Sequence, residues 1–229
     1  MSINKHNIYL IELPGVCLVI FFALQVFSML CYSGGTFFNF DAEGYSFTRN
    51  FLSDLGRSVG FSLKNNFISS QLFNTSLIIA GGIFIMFYYN LIYIFVEYNY
   101  MILAILGSFF GIIGGSMLIM VGLTPSDLYL SLHVFAAKWL FRSFFISSIC
   151  YALIIYLSNL FNNKDAFGYV LFSISIFLYI IISELGPSPK ESELALTIQV
   201  ISQKIILIIM FMAVYMQTRG LKKLRSLSS

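Results

Sequence analysis

The stretch MILAILGSFFGIIGGSMLIMV, residues 101–121, runs for about 20 residues without a charged side chain. An α-helix of that length crosses the hydrocarbon core of a lipid bilayer. Five further stretches have the same apolar character, so we predict six membrane-spanning helices. The other five lie at about residues 8–31, 72–95, 128–157, 167–182 and 194–216.

Glycines within residues 101–121 predict how the third span packs. Gly107, Gly111 and Gly115 are four residues apart, and side chains at this spacing share one face of a helix. Small residues at such spacing let two backbones approach closely in a membrane. We therefore predict a packing ridge on the third span, which Gly81 and Gly82 of the second span are placed to meet.

The composition agrees with an integral membrane protein. Of the 229 residues, 59% are hydrophobic and 10% are charged, and the mean hydropathy is +0.87, which excludes an ordinary soluble domain. The net charge of +3 is small and concentrated near the C-terminus, so it gives no support to nucleic-acid binding. We predict an all-α, polytopic protein in which residues 1–229 form a single transmembrane domain.

Six spans place both termini on one side of the membrane, and the basic residues predict which side. Positive residues are enriched in cytoplasmic segments. The terminal side carries more of them than the opposite side, namely Lys5, Lys164, Arg219, Lys222, Lys223 and Arg225 against Arg49, Arg57, Lys64 and Lys190. We therefore predict a multi-pass protein of the cell membrane with cytoplasmic N- and C-termini and a basic cytoplasmic tail at residues 217–229.

The loop at residues 33–70, between the first and second spans, is the only long connection. Its many Phe and Tyr residues favour a structured segment that lies on the helix bundle or at the level of the lipid headgroups. Within it, residues 48–57 are predicted to form a short helix. Thr48 or Asn50 could cap the start of that helix, and Gly56 could end it.

Three basic residues, Lys138, Arg142 and Lys204, lie inside predicted spans. A cation there costs about 2.5–3.5 kcal/mol on insertion scales and is treated as a functional-site hypothesis. Helical rise places Lys138 and Lys204 about 15 Å from the outer end, near the midplane. Glu12 lies at a depth comparable with Arg142, so we predict that these two form a structural ion pair.

The two lysines have no acidic residue at their own depth, which leaves three interpretations. Desolvation could make them neutral, or their long side chains could extend outward to Asp127 or Glu184. Alternatively, they could line a hydrated cavity that accepts an anion. Asp127 and Lys138 share a helix face, whereas His133 points about 140° away from Lys138, which argues against a compact site containing both.

Polar residues collect on the predicted outer side and form a candidate lipid- or anion-binding site. The candidates are Asn50, Asp54, Arg57, Asn74, Asp127, His133, Lys138 and Lys204. His6 and His133 are the only histidines, and catalytic zinc normally requires three protein ligands, so no metal site is predicted, and no cofactor. Candidate catalytic residues are His133 with Asp54 or Asp127, as general base and orienting acid.

Several short motifs resemble a known family. They are Asn-Phe-Leu-Ser-Asp-Leu-Gly at residues 50–56, Leu-Phe-Asn at 72–74, Gly-Leu-Thr-Pro-Ser-Asp at 122–127 with His133 and Ala136, and Gln203-Lys204. In this order the chain resembles the Frag-one/DRAM/Sfk superfamily of six-helix membrane proteins, in particular its prokaryotic domain-of-unknown-function family nine-nine-eight. The resemblance implies a link to lipid handling, which is known for eukaryotic members, and implies no particular reaction.

Three functions are consistent with these observations. The first is binding of a membrane lipid headgroup in an outward-facing polar pocket, with the outer loop as a lid. The second is an intramembrane lipid hydrolase or acyltransferase that uses His133 with Asp54 or Asp127. The third is a non-catalytic membrane scaffold or accessory subunit, for which a homo-oligomer or an unidentified membrane protein would be the partner.

Overall fold

The computed structural model describes residues 5–96, 100–158 and 163–228. Six α-helices and one short 3₁₀ helix, at Leu52–Gly56, account for the regular structure of these ranges. The α-helices are α1 (Lys5–Leu30), α2 (Phe67–Val96), α3 (Met101–Leu123), α4 (Leu130–Leu157), α5 (Asn163–Leu185) and α6 (Glu193–Ser228). Each α-helix is long and apolar enough to span a membrane. The predicted all-α, six-helix membrane architecture is therefore confirmed.

Neighbouring helices in the sequence are neighbours in space. Each α-helix packs against the next, and α6 returns to pack against α1, so that the six helices close into a ring. The 3₁₀ helix packs on α2 and α6 at one end of this ring. We call this end, where α2, α4 and α6 begin, the loop end. The long loop between α1 and α2 covers it.

The glycine ridge of α3 contacts both neighbouring helices, α2 and α4. A Cβ atom added at Gly115 would lie 2.9 Å from the carbonyl oxygen of Gly81, a distance that real side chains do not tolerate. The predicted contact between α2 and α3 is therefore confirmed at Gly81, whereas Gly82 takes no part in it, since a Cβ added there would meet no atom within 4 Å. At Gly107, an added Cβ would lie 2.9 Å from the Cβ of Cys150 on α4, so the ridge serves both neighbours of α3.

Helix α2 begins at Phe67, five residues earlier than predicted, so part of the predicted loop is helical. The side chain of Asn65 accepts a hydrogen bond from the Phe67 amide at 2.8 Å, which satisfies one free N–H of the first turn. Ser69 and Ser70, whose polarity suggested a loop, are buried and donate to the carbonyl oxygens of Leu55 and Gly56.

The short helix of the loop begins later than predicted. Neither Thr48 nor Asn50 caps it, because the flanking residue is Phe51, whose amide donates to the Asp54 carboxylate at 2.8 Å. Gly56 is its last residue, as predicted. This position requires glycine for a steric reason, since an added Cβ would lie 2.5 Å from the side-chain oxygen of Asn74.

At the opposite end of the ring, α6 extends well beyond its apolar portion. The helix continues to Ser228, whereas its membrane-spanning portion ends at Met216. Residues 217–228 of the predicted basic tail are therefore helical and continue the axis of the last span.

Candidate functional site

A cavity of about 580 Å³ lies inside the helix ring and reaches the loop end. Side chains from all six α-helices and from the loop line it. Its inner part is almost wholly apolar. That part is lined by Leu18, Phe21, Leu77, Ala80, Phe84, Leu140, Phe144, Phe172, Ile206, Leu207 and Met210, and Phe73, Leu118 and Val121 add apolar side chains nearer the loop end.

The part of the cavity near the loop end, which we call the rim, is polar and carries an excess of positive charge. Four basic side chains and two carboxyl groups contribute to it, together with an imidazole. These residues are Arg49, Arg57, Lys138, Lys190, Asp54, Glu184 and His133. Gln199 and Gln203 of α6, four residues apart, add amide groups to the same part of the cavity.

Aromatic side chains form the floor of the cavity. Phe84 and Phe144 line its inner part, and their rings lie 5.7 Å apart between centroids. The ring of Tyr88 lies 6.4 Å from Phe84 and 6.2 Å from Phe144. Tyr88 in turn contacts Tyr151, and both tyrosines are buried. The cavity is therefore a pocket closed by aromatic packing at its inner end.

Lys204, predicted to supply positive charge to the pocket, is instead part of the attachment of the loop. Only 4% of the residue is exposed, and its Nζ donates to the carbonyl oxygen of Asn50 at 2.7 Å. The rings of Tyr45 and Phe47 lie 5.3 and 5.0 Å from the same nitrogen. Lys204 thus contacts the loop, whereas Lys138 lines the cavity. The expectation that the two lysines share an anion site is wrong.

Helix geometry explains the position of the Lys204 ammonium. Side chains on an α-helix tilt toward the N-terminus of the helix, and α6 begins at the loop end. The long side chain of Lys204 therefore extends from the middle of the helix toward the loop. Of the three interpretations, outward extension of the side chain fits Lys204, but its partner is the Asn50 carbonyl and not Asp127 or Glu184.

Asp54 is buried in the loop and faces several partners. Its Oδ2 accepts hydrogen bonds from the Phe51 amide at 2.8 Å and from the Asn50 side chain at 3.3 Å. Burial raises the pKa of Asp54 to about 6, although these hydrogen bonds and the positive charges of Arg57 and Lys204 act in the opposite direction. Asp54 lines the cavity, so its charge state affects the rim.

Asp127, between α3 and α4, fastens the loop to the helices. Its Oδ1 accepts from the Ser58 amide at 3.1 Å, and its Oδ2 accepts from the Ser58 hydroxyl and from the Val59 amide. Burial opposes ionisation of this carboxyl, but the hydrogen bonds together outweigh it and lower the pKa of Asp127. Its carboxylate oxygens are occupied by the loop, which makes Asp127 a structural residue.

The two asparagines of the predicted site also hold the loop in place. The side-chain nitrogen of Asn50 donates to the carbonyl oxygen of Gly35 at 3.1 Å. That of Asn74 donates to the carbonyl oxygen of Gly56 at 3.1 Å and to the hydroxyl of Ser70 at 3.0 Å. Among the predicted site residues, Asp54, Arg57, His133 and Lys138 line the cavity, whereas Asn50, Asn74, Asp127 and Lys204 position the loop above it.

His133 and Lys138 both contribute to the rim, although they point in different directions from α4. The cavity extends around the first half of this helix, where Leu130 and Val134 also line it. The predicted angular separation is therefore no obstacle to a shared site. His133 is buried, and its Nδ1 lies 2.7 Å from the carbonyl oxygen of Thr124. Because a carbonyl only accepts, Nδ1 carries the proton in this contact.

The predicted Glu12–Arg142 pair is wrong, because Arg142 donates to Glu184 at 2.6 Å. Helix α4 packs against α3 and α5, whereas α1 packs against α2 and α6. Measured from the end opposite the loop, Glu184 lies only about 9 Å higher than Arg142 by helical rise. The Arg142 side chain covers this gap because it tilts toward the loop end, where α4 begins.

Several rim residues lie outside the predicted set of binding residues. Gln203 accepts a hydrogen bond from the Leu52 amide at 3.0 Å and so links α6 to the 3₁₀ helix. Arg49 forms an ion pair with Glu193 at 2.9 Å, and Lys190 lines the cavity from the α5–α6 connection. The helical spacing of Gln199 and Gln203 indicated a polar face of α6, and the topology placed Arg49 and Lys190 on the outer side, but neither observation assigned them to the cavity.

No family model, curated protein or solved structure matches this chain. The resemblance to the Frag-one/DRAM/Sfk superfamily therefore stays a prediction. Within the described ranges, no group of three or more His, Cys, Asp or Glu side chains is arranged to hold a metal ion.

Proposed function

We propose that this multi-pass membrane protein binds the anionic headgroup of a membrane amphiphile at the rim of the cavity. The observation that carries the proposal is the division of one cavity into a positively charged rim and an apolar interior. A molecule with the same division of polarity would satisfy both parts at once. The predicted topology would open this cavity toward the outer face of the cell membrane.

Three of the rim cations are available to an anion. In the part of the chain that the structure describes, Arg57, Lys138 and Lys190 form no ion pair. Arg57 is held in place, because its Nε donates to the Val59 carbonyl oxygen at 3.1 Å and its guanidinium lies over the Phe61 ring at 4.2 Å. Its remaining N–H groups can donate to phosphate or carboxylate oxygens in a two-pronged arrangement.

The imidazole of His133 supports headgroup binding more directly than hydrolysis. In the described ranges it has a hydrogen bond to a backbone carbonyl and none to Asp54 or Asp127. Those carboxylates accept from the loop instead. A general base normally depends on a group that orients it and stabilises its charged form. The scaffold hypothesis gives no account of the cavity.

Native mass spectrometry of the purified protein tests the proposal. We expect wild-type protein to retain an anionic lipid, and we expect the double variant Arg57→Ala/Lys138→Ala to retain much less of it. Lys64→Ala is the matched control, since Lys64 is exposed in the same loop and lies outside the cavity lining. Equal retention by all three proteins, or retention of neutral lipids only, would overturn headgroup binding at the rim.

A further inference from the structure

The cavity is long and follows the helix axes. On α4 its lining extends from Leu130 to Phe144, and on α6 it extends from Leu196 to Met210. Each interval corresponds to about 21 Å of helical rise. The pocket therefore penetrates about two thirds of a hydrocarbon core that is roughly 30 Å thick, before it ends at the aromatic floor.

The cavity is also narrow. A volume of about 580 Å³ spread over a length of about 21 Å has a mean cross-section of about 28 Å². A circle of that area is about 6 Å wide. This is the space open to the centres of water-sized groups, so the wall surfaces themselves lie about 3 Å further apart, at about 9 Å. Carbon atoms of packed chains lie about 3.5–4.0 Å apart, so two zigzag chains side by side, with their own surfaces, would need about 10 Å. The width fits one extended chain.

Water is a poor occupant for the inner part. A buried water needs two to four polar partners, and Gln25, Lys138 and Gln203 are the polar lining residues that lie closest to the inner part. The Gln25 side-chain nitrogen donates to the Ser76 hydroxyl at 2.8 Å, and the Gln203 oxygen accepts from the Leu52 amide. Among the described residues the Gln25 Oε1 has no hydrogen-bond partner, and this single acceptor is fewer than a buried water needs. Walls of Leu, Phe, Ile and Met instead gain dispersion contacts when a hydrocarbon fills the space.

We infer that the inner cavity takes one linear hydrocarbon chain of the bound amphiphile, with the chain withdrawn from the bilayer into the protein. This inference rests on the proposed function and adds the class of ligand, a long-chain acidic lipid. A fully extended chain advances about 1.2 Å per bond, so a length of about 21 Å holds about 17 bonds. The headgroup then lies among the rim cations.

Two sources would supply such a chain. A fatty acid or lysophospholipid has a single chain, which the cavity would enclose. A phospholipid with two chains would place one in the cavity and leave the other in the surrounding bilayer. The masses of the retained lipids distinguish these sources directly.

Variants at the aromatic floor test whether the depth of the cavity limits the chain length of the bound lipid. The measurement is again native mass spectrometry of retained lipids. Ala80 lines the cavity and is buried near Phe84. We expect Ala80→Leu to shorten the longest retained chain by about three bonds, since the larger side chain fills the end of the cavity. Phe84→Ala removes part of the floor, and we expect it to retain longer chains than the wild type.

The control for these variants is Ala23→Leu, the same substitution at an exposed position of α1 outside the cavity lining. It should leave the distribution of chain lengths unchanged. If lipid is retained but neither Ala80→Leu nor Phe84→Ala changes that distribution, the inference is overturned while headgroup binding stands. If wild-type protein retains no anionic lipid, both fail. The Ala80 variant adds side-chain atoms and the Phe84 variant removes them, so the two should change the chain length in opposite directions. Misfolding would reduce lipid retention in both variants and would not produce opposite changes in chain length.

Discussion

The Nζ atom of Lys204 lies 2.7 Å from the carbonyl oxygen of Asn50, and this contact joins the last helix to the loop that covers the cavity. The two residues are far apart in the sequence. Next to this contact, Asn50 donates to Asp54, and Gln203 accepts from the Leu52 amide. The position of the loop therefore depends on side chains of α6.

Replacement of Lys204 by methionine should loosen the loop. Methionine is similar in length to the apolar stem of lysine but lacks the ammonium group. The substitution therefore removes a charged hydrogen-bond donor, an interaction worth about 1.5–3 kcal/mol, and leaves the Asn50 carbonyl without this donor. We expect a lower melting temperature and faster proteolysis within the loop. Lys64→Met, at an exposed loop position, should behave as wild type. Equal protease resistance of both variants would show that this contact does not hold the loop.

The sequence was sufficient to predict the helices and one of their contacts. Hydropathy identifies the spans directly. A segment that crosses the bilayer must satisfy its backbone groups within its own helix, so each span is one long uninterrupted apolar stretch. The contact between Gly81 and Gly115 was predictable as well, since close backbone approach in a membrane requires small residues at regular spacing. Both features follow from local composition and spacing. Neither prediction requires knowledge of the order of the helices around the ring.

Partners of the long basic side chains could not be predicted in the same way. Axial distance locates the Cα atom of Arg142, but its guanidinium is displaced toward the loop end. Which acid it meets depends on which helix lies beside α4, and this selected Glu184 and not Glu12. For Lys204, the partner is a backbone carbonyl, and a backbone group has no sequence signal.

Substitution of adjacent glycines in α2 should give opposite results. At Gly81 an added Cβ would lie 2.5 Å from the carbonyl oxygen of Gly115, whereas at Gly82 it would meet no atom within 4 Å. Gly81→Ala should therefore destabilise the protein by about 1–3 kcal/mol through overpacking. Gly82→Ala should be neutral or slightly stabilising, because alanine favours helix. Thermal unfolding in detergent measures both, and equal melting temperatures would contradict the α2–α3 contact.

Charge reversal should identify the partner of Arg142. Arg142→Glu places a carboxylate of α4 next to the carboxylate of Glu184 on α5. The repulsion between them should reduce both the yield and the stability of the protein. The second substitution Glu184→Arg should recover most of that loss, because it restores an ion pair in the opposite direction. Both side chains are partly exposed, at 38% and 28%. The coupling energy between the two substitutions should therefore be about 1 kcal/mol or less where water reaches the pair. It should be larger where the pair lies in the hydrocarbon region of the membrane.

A double-mutant cycle in nanodiscs measures this coupling. The combination of Arg142→Glu with Glu12→Arg is the comparison, since α1 and α4 are not neighbours in the ring. Recovery by Glu12→Arg and none by Glu184→Arg would show that the pairing described here is incorrect.

Asp54 should make the stability of the protein depend on pH. Its pKa is about 6 in the folded protein, against an ordinary value of 3.8, so between these pH values the folded state binds more protons than the unfolded state. Stability should therefore fall as the pH rises from 3.8 to about 6 and level off above it. The separation of the two pKa values corresponds to a loss of about 3 kcal/mol.

Asp54→Asn isolates this effect, because asparagine keeps an oxygen that can accept from the Phe51 amide but does not titrate. Thermal unfolding between pH 4 and pH 8 should show a smaller fall for the variant than for wild type. The variant should also be the more stable of the two at pH 8, where ionised Asp54 is desolvated. Asp41→Asn, at an exposed position of the same loop, should preserve the wild-type profile. If Asp54→Asn preserves that profile as well, the carboxyl titrates at its ordinary pKa and the loop holds it in a hydrated environment.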